Sequence, residues 1–485
     1  MPDGEAIPYS ARGLYIDGAW RKDGGAGQDP AYDPATGETL GVVPSASADD
    51  TREAIAAAVK GFQHWRALPA WTRGDALHKV ADVMAARADE AAATITRESG
   101  KPVAQAKREW SLSTDQFRWY AEEARRVYGR IVESRAPGGR IEVTHQPVGV
   151  VAAFTAWNFP AVLIARKVAP ALAAGCSVIV RPSRETPGSA MAIFDCLSEA
   201  GVPAGVANLL IGSIDNTYRV LMESPVVRKV SLTGSTPVGQ QMIRDAAATM
   251  KRVSMELGGN APMIVFDDAD VEKTLDLAVG SKFANAGQVC VAPDRFYVHE
   301  SLYESFGEGF ANRAKALKLG HGLDPATQMG PLINARRREA IEAVVEEARA
   351  RGGRVLAGGS RPADKNAGFF FEPTVILDLP DDARALAEEN FGPIAAITPF
   401  SSDDEAYRRA NASPYGLAAY AFTRSAARAR EAVARIEAGM VGINSFALAA
   451  AEAPFGGIKY SGMGREGGSE GIADYCNVKL GQLTV

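Results

Sequence analysis

Residues 148–181 read VGVVAAFTAWNFPAVLIARKVAPALAAGCSVIVR. Val148–Phe154 is a short β-branched run, Ala161–Ala174 an apolar stretch of helical length, and Ser177–Arg181 a second β-rich run. Strand, helix and strand in this order predict two parallel strands joined by a crossover helix. The apolar region cannot cross a membrane, because Asn158, Pro160, Arg166 and Lys167 interrupt it. The alternation continues downstream. Strands are expected at Asn208–Ile211, Lys229–Thr233 and Arg252–Met255, and helices at Pro187–Glu199, Asn216–Glu223 and Pro237–Thr249. This pattern predicts a doubly covered parallel sheet with a nucleotide-type site at the carboxyl ends of its strands. No Gly-x-Gly-x-x-Gly is present; Gly234-Ser235-Thr-Pro-Val-Gly239 instead follows a strand and opens a helix, where free amides can take a phosphate. An ordinary strand–helix turn explains the same residues.

Upstream, Asp17-Gly18 is a hairpin signal, and Ser45–Asp50 opens a helical region in three pieces, Ala54–Leu68, Thr72–Ser99 and Val103–Arg125. Val127–Val151 holds two β-rich runs around the turn signal Ala136–Gly139. Downstream, Ala261–Val441 repeats the strand–helix theme. Leu257-Gly-Gly259 is a candidate hinge into it, His321–Pro331 a loop, and Leu417–Thr423 a strand.

The chemistry gathers around residues 283–290, FANAGQVC. A helix is expected to end at Ala286-Gly287 and present Cys290 on irregular backbone. Taken alone, such a thiol is most simply a core residue. Glu256 before Gly258-Gly259 and Asn158 before Pro160 would supply a base and an oxyanion donor. Five motifs in order carry a resemblance: Trp157-Asn-Phe-Pro160, Glu256-Leu-Gly-Gly259, Asn285-x-Gly-Gln-x-Cys290, Glu389-Asn-Phe391-Gly-Pro393 and Pro454–Lys459. Together they resemble the aldehyde dehydrogenase superfamily from about Gly18 to the C-terminus.

The resemblance implies an α/β fold with three parts. These are a Rossmann-like parallel-sheet coenzyme domain (1–126 and 147–257), a second α/β catalytic domain (258–445), and a β-ribbon oligomerisation element (127–146 and 468–485). Residues 446–467 would return near the active site. It implies Cys290 as nucleophile, Glu256 as base, Asn158 as oxyanion donor, and Lys167 near the coenzyme ribose and the active site. For the coenzyme it implies Trp157, Arg181, Ser183, Arg184, Gly212, Gly234, Ser235, Gly239, Glu389 and Phe391. Glu389 would hold the nicotinamide-ribose hydroxyls, and Phe391 would pack on the nicotinamide. The ribbon would join subunits into a homodimer or homotetramer, with 477–485 pairing to a neighbour. Glu98–Pro102 also resembles a family marker, although a helix end followed by proline explains it equally.

Where the family commonly has Lys-Pro-x-Glu, this chain has Arg181-Pro-Ser183-Arg184. An acid there chelates the ribose hydroxyls of NAD, whereas an arginine accommodates a 2′-phosphate. The reading leans to NADP, or to use of both coenzymes. Phe159, Arg166, Phe446 and Phe455, with Trp110 and Trp119, are candidates for the substrate pocket. Succinate-semialdehyde dehydrogenases carry an arginine at the position of Arg166, and a guanidinium can anchor a distal carboxylate. Their further anchors are replaced by Ala284 and Ala450, and their second cysteine by Ala292. The expected substrate is an aldehyde with an acidic or polar end, oxidised to the acid through a thiohemiacetal and a thioester. Transfer of the acyl group to CoA, or a non-catalytic protein on the same fold, are the alternatives.

Composition bounds the remainder. With 485 residues and 46% hydrophobic content, two or three domains with full cores are affordable. A formal charge of −5 offers no polyanion surface, so no nucleic-acid partner is expected. The four cysteines and five histidines lack metal spacing, so no metal site is expected. The N-terminus carries no basic-then-apolar signal, and reduced thiols point to the cytoplasm.

Overall fold

The computed structural model describes Tyr9 and residues 12–484. The strand–helix alternation from Val148 folds into an eight-stranded sheet. Its order is Gly462–Met463, Arg252–Glu256, Val227–Thr233, Val150–Phe154, Ser177–Arg181, Ala207–Leu209, Leu14–Ile16 and Ala19–Arg21. The five middle strands are parallel; Gly462–Met463 at one margin and Leu14–Ile16 at the other pair antiparallel with them, and Ala19–Arg21 closes the sheet as the hairpin partner of Leu14–Ile16. The helix Pro160–Ala174 crosses from Val150–Phe154 to Ser177–Arg181, and all fifteen of its residues are buried. Pro160 suits its first turn, where no amide partner is needed, and Gly175 ends it in the left-handed region at φ 95°. Its last carbonyls find outside donors: Trp65 Nε1 donates to Leu172 O and Arg73 Nε to Ala173 O.

The chain crosses to a second sheet between Glu256 and Ala261. That sheet has seven strands in the order Arg354–Ala357, Thr374–Leu377, Ile394–Phe400, Pro293–His299, Ala261–Val265, Ala418–Phe422 and Met440–Ile443, and only the first is antiparallel. Each large sheet carries its own hydrophobic core.

Two expectations are corrected. The periodicity of Thr72–Ser99 is two helices, Ala70–Ala86 and Ala88–Ser99, broken at Arg87 (φ −102°, ψ 17°). Both present apolar residues at helical spacing, so the pattern hides the break. The helix before the cysteine loop is Val271–Lys282, ending four residues early, because Asn285 and Ala286 adopt left-handed backbone at φ 48° and 54°. The C-terminal strand Cys476–Thr484 pairs along its whole length with Gly139–Pro147 of its own chain and forms one margin of the three-stranded sheet. The chain's own end covers the Gly139–Pro147 edge of the hairpin, and Arg130–Glu133 and Cys476–Thr484 are the marginal strands of the sheet.

Candidate active site

A cavity of about 530 Å³ lies at the carboxyl ends of the parallel strands, between the two large sheets. Of the expected residues it brings together Trp157, Asn158, Phe159, Arg166, Gly234, Ser235, Cys290, Glu389, Phe391 and Phe455. Glu256, Lys167 and Gly239 stand behind its wall. Arg181, Ser183 and Arg184, at the end of the strand Ser177–Arg181, and Gly212, after the strand Ala207–Leu209, do not line it.

The Cys290 loop is locked by the other members of its motif. Asn285 Nδ2 donates to Asn158 O (3.0 Å) and Gln288 O (3.3 Å). Gln288 Nε2 donates to Asn285 O at 2.9 Å, and its Oε1 accepts from Ile333 N at 2.9 Å. These bonds offset the left-handed backbone at Asn285 and Ala286, which costs about 1–2 kcal/mol per residue. Gly287 is required: at φ 73°, a Cβ there would lie 2.1 Å from Gly392 O. Burial first, then Glu389 and Glu256, pushes the Cys290 thiol up to about 12, while Arg166 pulls it down. The free protein is therefore expected to react with iodoacetamide at Cys290 about tenfold faster per pH unit between pH 7 and 9, since only the thiolate attacks. A rate already level across that range, measured by mass spectrometry of the labelled peptide, would contradict a thiol resting in its protonated form.

Asn158 is held from both sides. Its Nδ2 donates to Gln288 O at 3.1 Å, leaving one amide hydrogen for the cavity, and its own carbonyl accepts from Lys101 Nζ at 2.6 Å. Lys101 also donates to Glu109 Oε2 at 2.5 Å and lies 4.1 Å from the centre of the Phe159 ring. The other Glu109 oxygen accepts from Ala161 N and Val162 N at the start of the helix Pro160–Ala174. This buried pair was not read from the sequence, where Lys101 and Glu109 look like ordinary helix-flanking charges. Lys101→Met should cost about 3 kcal/mol in denaturant unfolding, because it strands a buried carboxylate. An unchanged midpoint would refute that.

Glu256 is 3% exposed at the end of Arg252–Glu256, and neither carboxylate oxygen has a hydrogen-bond partner among the described residues. Burial, then Glu466, holds it well above the usual carboxylate range; Lys167, Arg166 and Arg465 oppose this. Lys167, fully buried, donates to Thr233 Oγ1 at 2.6 Å and pairs with Glu466. Glu466 was not anticipated, since a lone glutamate in a glycine-rich stretch carries no local signal.

The cavity suits a dinucleotide. Ser235 occupies the cap position of the helix Thr236–Ala247 but makes no side-chain cap bond, so its hydroxyl is free beside the open helix end. Gly239 lets that helix approach Leu257, since a Cβ would lie 2.4 Å from the leucine side chain. Glu389 accepts from Gly259 N at 2.9 Å, and burial lifts it to about 7. Trp157 and Phe391 meet edge to face at 5.5 Å.

Trp110, Trp119 and Phe446 do not line the cavity. Trp110 is buried and donates to Met84 O, Trp119 packs on the first core, and Phe446 stacks on Tyr420 and Phe422. Leu112, two residues from Trp110, faces the cavity instead. Residues two apart on a helix point about 200° apart, and periodicity alone does not say which face meets a site. Val162, Leu163, Ile333, Asn334 and Arg336 also line it and were not anticipated.

A parallel-sheet nucleotide fold with a partly buried cysteine at its cleft defines the class of coenzyme-dependent α/β enzymes that use a thiol. Comparison with known proteins makes this specific: the aldehyde dehydrogenase family profile matches residues 20–480, and the chain belongs to that family. Succinate semialdehyde dehydrogenase of Acinetobacter baylyi is 43% identical over 472 residues, covering 97% of each chain. 3-Sulfolactaldehyde dehydrogenase of Pseudomonas putida is 43% identical over 465 residues, covering 96% of this chain and 95% of that one. The crystal structure of succinate-semialdehyde dehydrogenase from Burkholderia pseudomallei superposes with a TM-score of 0.95 at 42% identity, covering 98% of each chain. The protein is an NAD(P)-dependent oxidoreductase that converts an aldehyde to the carboxylic acid. Among the described residues no helix is long and apolar enough to cross a membrane.

Proposed function

We propose that the substrate is an aldehyde with an anionic far end, a semialdehyde or its sulfonate counterpart. Arg166 carries this reading. It is 4% exposed in the cavity wall, its guanidinium lies 4.0 Å from the centre of the Phe455 ring, and its Nε has no partner among the described residues. A buried cation among Leu112, Val162, Leu163, Val289, Ala449 and Phe455 needs an anion, and a carboxylate or sulfonate would supply it. The named relatives act on substrates of this kind.

In this reading Cys290 adds to the aldehyde carbon and forms a thiohemiacetal. Its oxyanion takes the free Asn158 amide hydrogen and the Cys290 N–H. Glu389, Ser235 and Gly234 would hold the nicotinamide coenzyme, which when bound supplies the hydride acceptor. Collapse of the thiohemiacetal leaves a thioester on Cys290. Glu256, ionised as Lys167 and Arg166 favour, takes a proton from the water that hydrolyses it. This carboxylate supports hydrolysis over transfer to CoA. Arg181 and Arg184 support use of both NAD and NADP. Exposed Ile131, Val132, Val478, Leu480 and Leu483 on the three-stranded sheet support a homo-oligomer, and four unpaired cysteines a cytoplasmic setting. The test is the initial rate of coenzyme reduction with succinate semialdehyde against butanal. A kcat/KM no higher for the anionic aldehyde would overturn the assignment.

A further inference from the structure

In the loop after the strand Ser177–Arg181, each side chain assigned to the adenosine ribose already has a protein partner. Arg181 donates from Nη2 to Gly212 O at 2.8 Å; burial first, then Arg184, lowers its pKa. Ser183 donates to Glu185. The half-exposed Arg184 pairs through Nη2 with Asp29 Oδ1 at 2.5 Å. Asp29 lies on the strand Gln28–Tyr32, which pairs only with Thr39–Pro44 among the described strands and is far away in sequence. Asp29, Arg184, Glu185 and Arg336 line a second cleft of about 530 Å³, which shares Ile333, Asn334 and Arg336 with the Cys290 cavity.

We propose that Asp29 is a specificity-determining residue for the coenzyme. It neutralises Arg184 and restores, from another element, the carboxylate that Arg184 displaced from the loop. The inference rests on the reading that this loop meets the adenosine ribose. A ribose with free 2′- and 3′-hydroxyls donates to a carboxylate, whereas a 2′-phosphate must break the ion pair and then lie beside the released anion. Glu185 adds a second carboxylate to the same cleft. Two arginines in the loop therefore do not make an NADP enzyme by themselves; Asp29, on the strand Gln28–Tyr32, sets the balance.

The experiment is calorimetric binding of 2′,5′-ADP and 5′-AMP to the full-length protein, Asp29→Asn, Arg184→Gln and the double variant. It is paired with kcat/KM for NADP and NAD on one aldehyde. Asp29→Asn is expected to tighten 2′,5′-ADP relative to 5′-AMP about tenfold, and to raise the NADP-to-NAD ratio similarly, as for loss of one nearby charge in a partly exposed site. The gain should shrink in the Arg184→Gln background, where no ion pair remains to break and only the repulsion between Asp29 and the 2′-phosphate is relieved. Equal changes for both fragments, or a gain of the same size without Arg184, would overturn the proposal. If neither fragment competes with NAD on the unmodified protein, the loop is not the ribose site and the proposal falls with that placement. Aldehyde oxidation by the same preparation would still stand as a separate result.

Discussion

Glu256→Gln will reduce about one equivalent of coenzyme per active site and then stall. The substitution keeps the shape of a side chain that is 3% exposed, while removing the carboxylate proposed to activate the hydrolytic water. Thioester formation does not need that group; hydrolysis does. Loss of a general base costs about 10²–10⁴-fold, so steady-state turnover should fall by that factor beneath an intact first turnover. Rapid-mixing absorbance separates the two phases, and mass spectrometry should find the acyl group on Cys290. The pH dependence has a definite sign. Burial and Glu466 raise the Glu256 pKa, so the base is scarce at low pH, and the hydrolytic rate should climb as pH rises through that value. In Glu256→Gln that dependence should disappear. Turnover within about threefold of the parent would remove Glu256 from the mechanism.

Arg166→Met should lower kcat/KM for succinate semialdehyde by about 10²–10³-fold, the worth of a charge-assisted pair in a desolvated pocket. For butanal, which has nothing to pair, the change should stay within about threefold. Methionine preserves packing against Phe455 while removing the cation, so the comparison isolates charge. Arg166 also draws the Cys290 thiol downward, which gives a competing outcome with its own signature. If the arginine served mainly to activate the thiol, both aldehydes would lose equally and Cys290 alkylation would slow in parallel. That pattern would end its role as the anchor for the substrate's far end.

Much of the site was legible because its residues sit where strands and helices end. Asn158 precedes a helix-starting proline, Glu256 closes a strand before Gly258-Gly259, and Cys290 follows Gly287. Local rules mark such positions, and five motifs in order were enough for the family. The parallel sheet was legible for the same reason, since strand and helix periods differ and the chain alternates between them. What lacked a local signal was missed. Leu112 and Trp110 share one helical pattern, but only Leu112 meets the cavity. Lys101 and Glu109 look solvated in sequence and are a dry pair beneath Asn158. Glu466 reaches Lys167 from 299 residues away.

The sequence by itself therefore determined the α/β class, the family, and the cysteine and arginine that the cavity brings together, because these depend on residue type and on spacing over short stretches. The tertiary structure alone decided which groups share a buried space, and hence their charge states. It set Glu256 without a hydrogen-bond partner beside Glu466, returned the C-terminal strand to its own hairpin, and placed Asp29 on Arg184. The physical reason is common to all three. Desolvation and Coulomb interactions act across space, between segments that only folding brings together, and no local pattern along the chain encodes them.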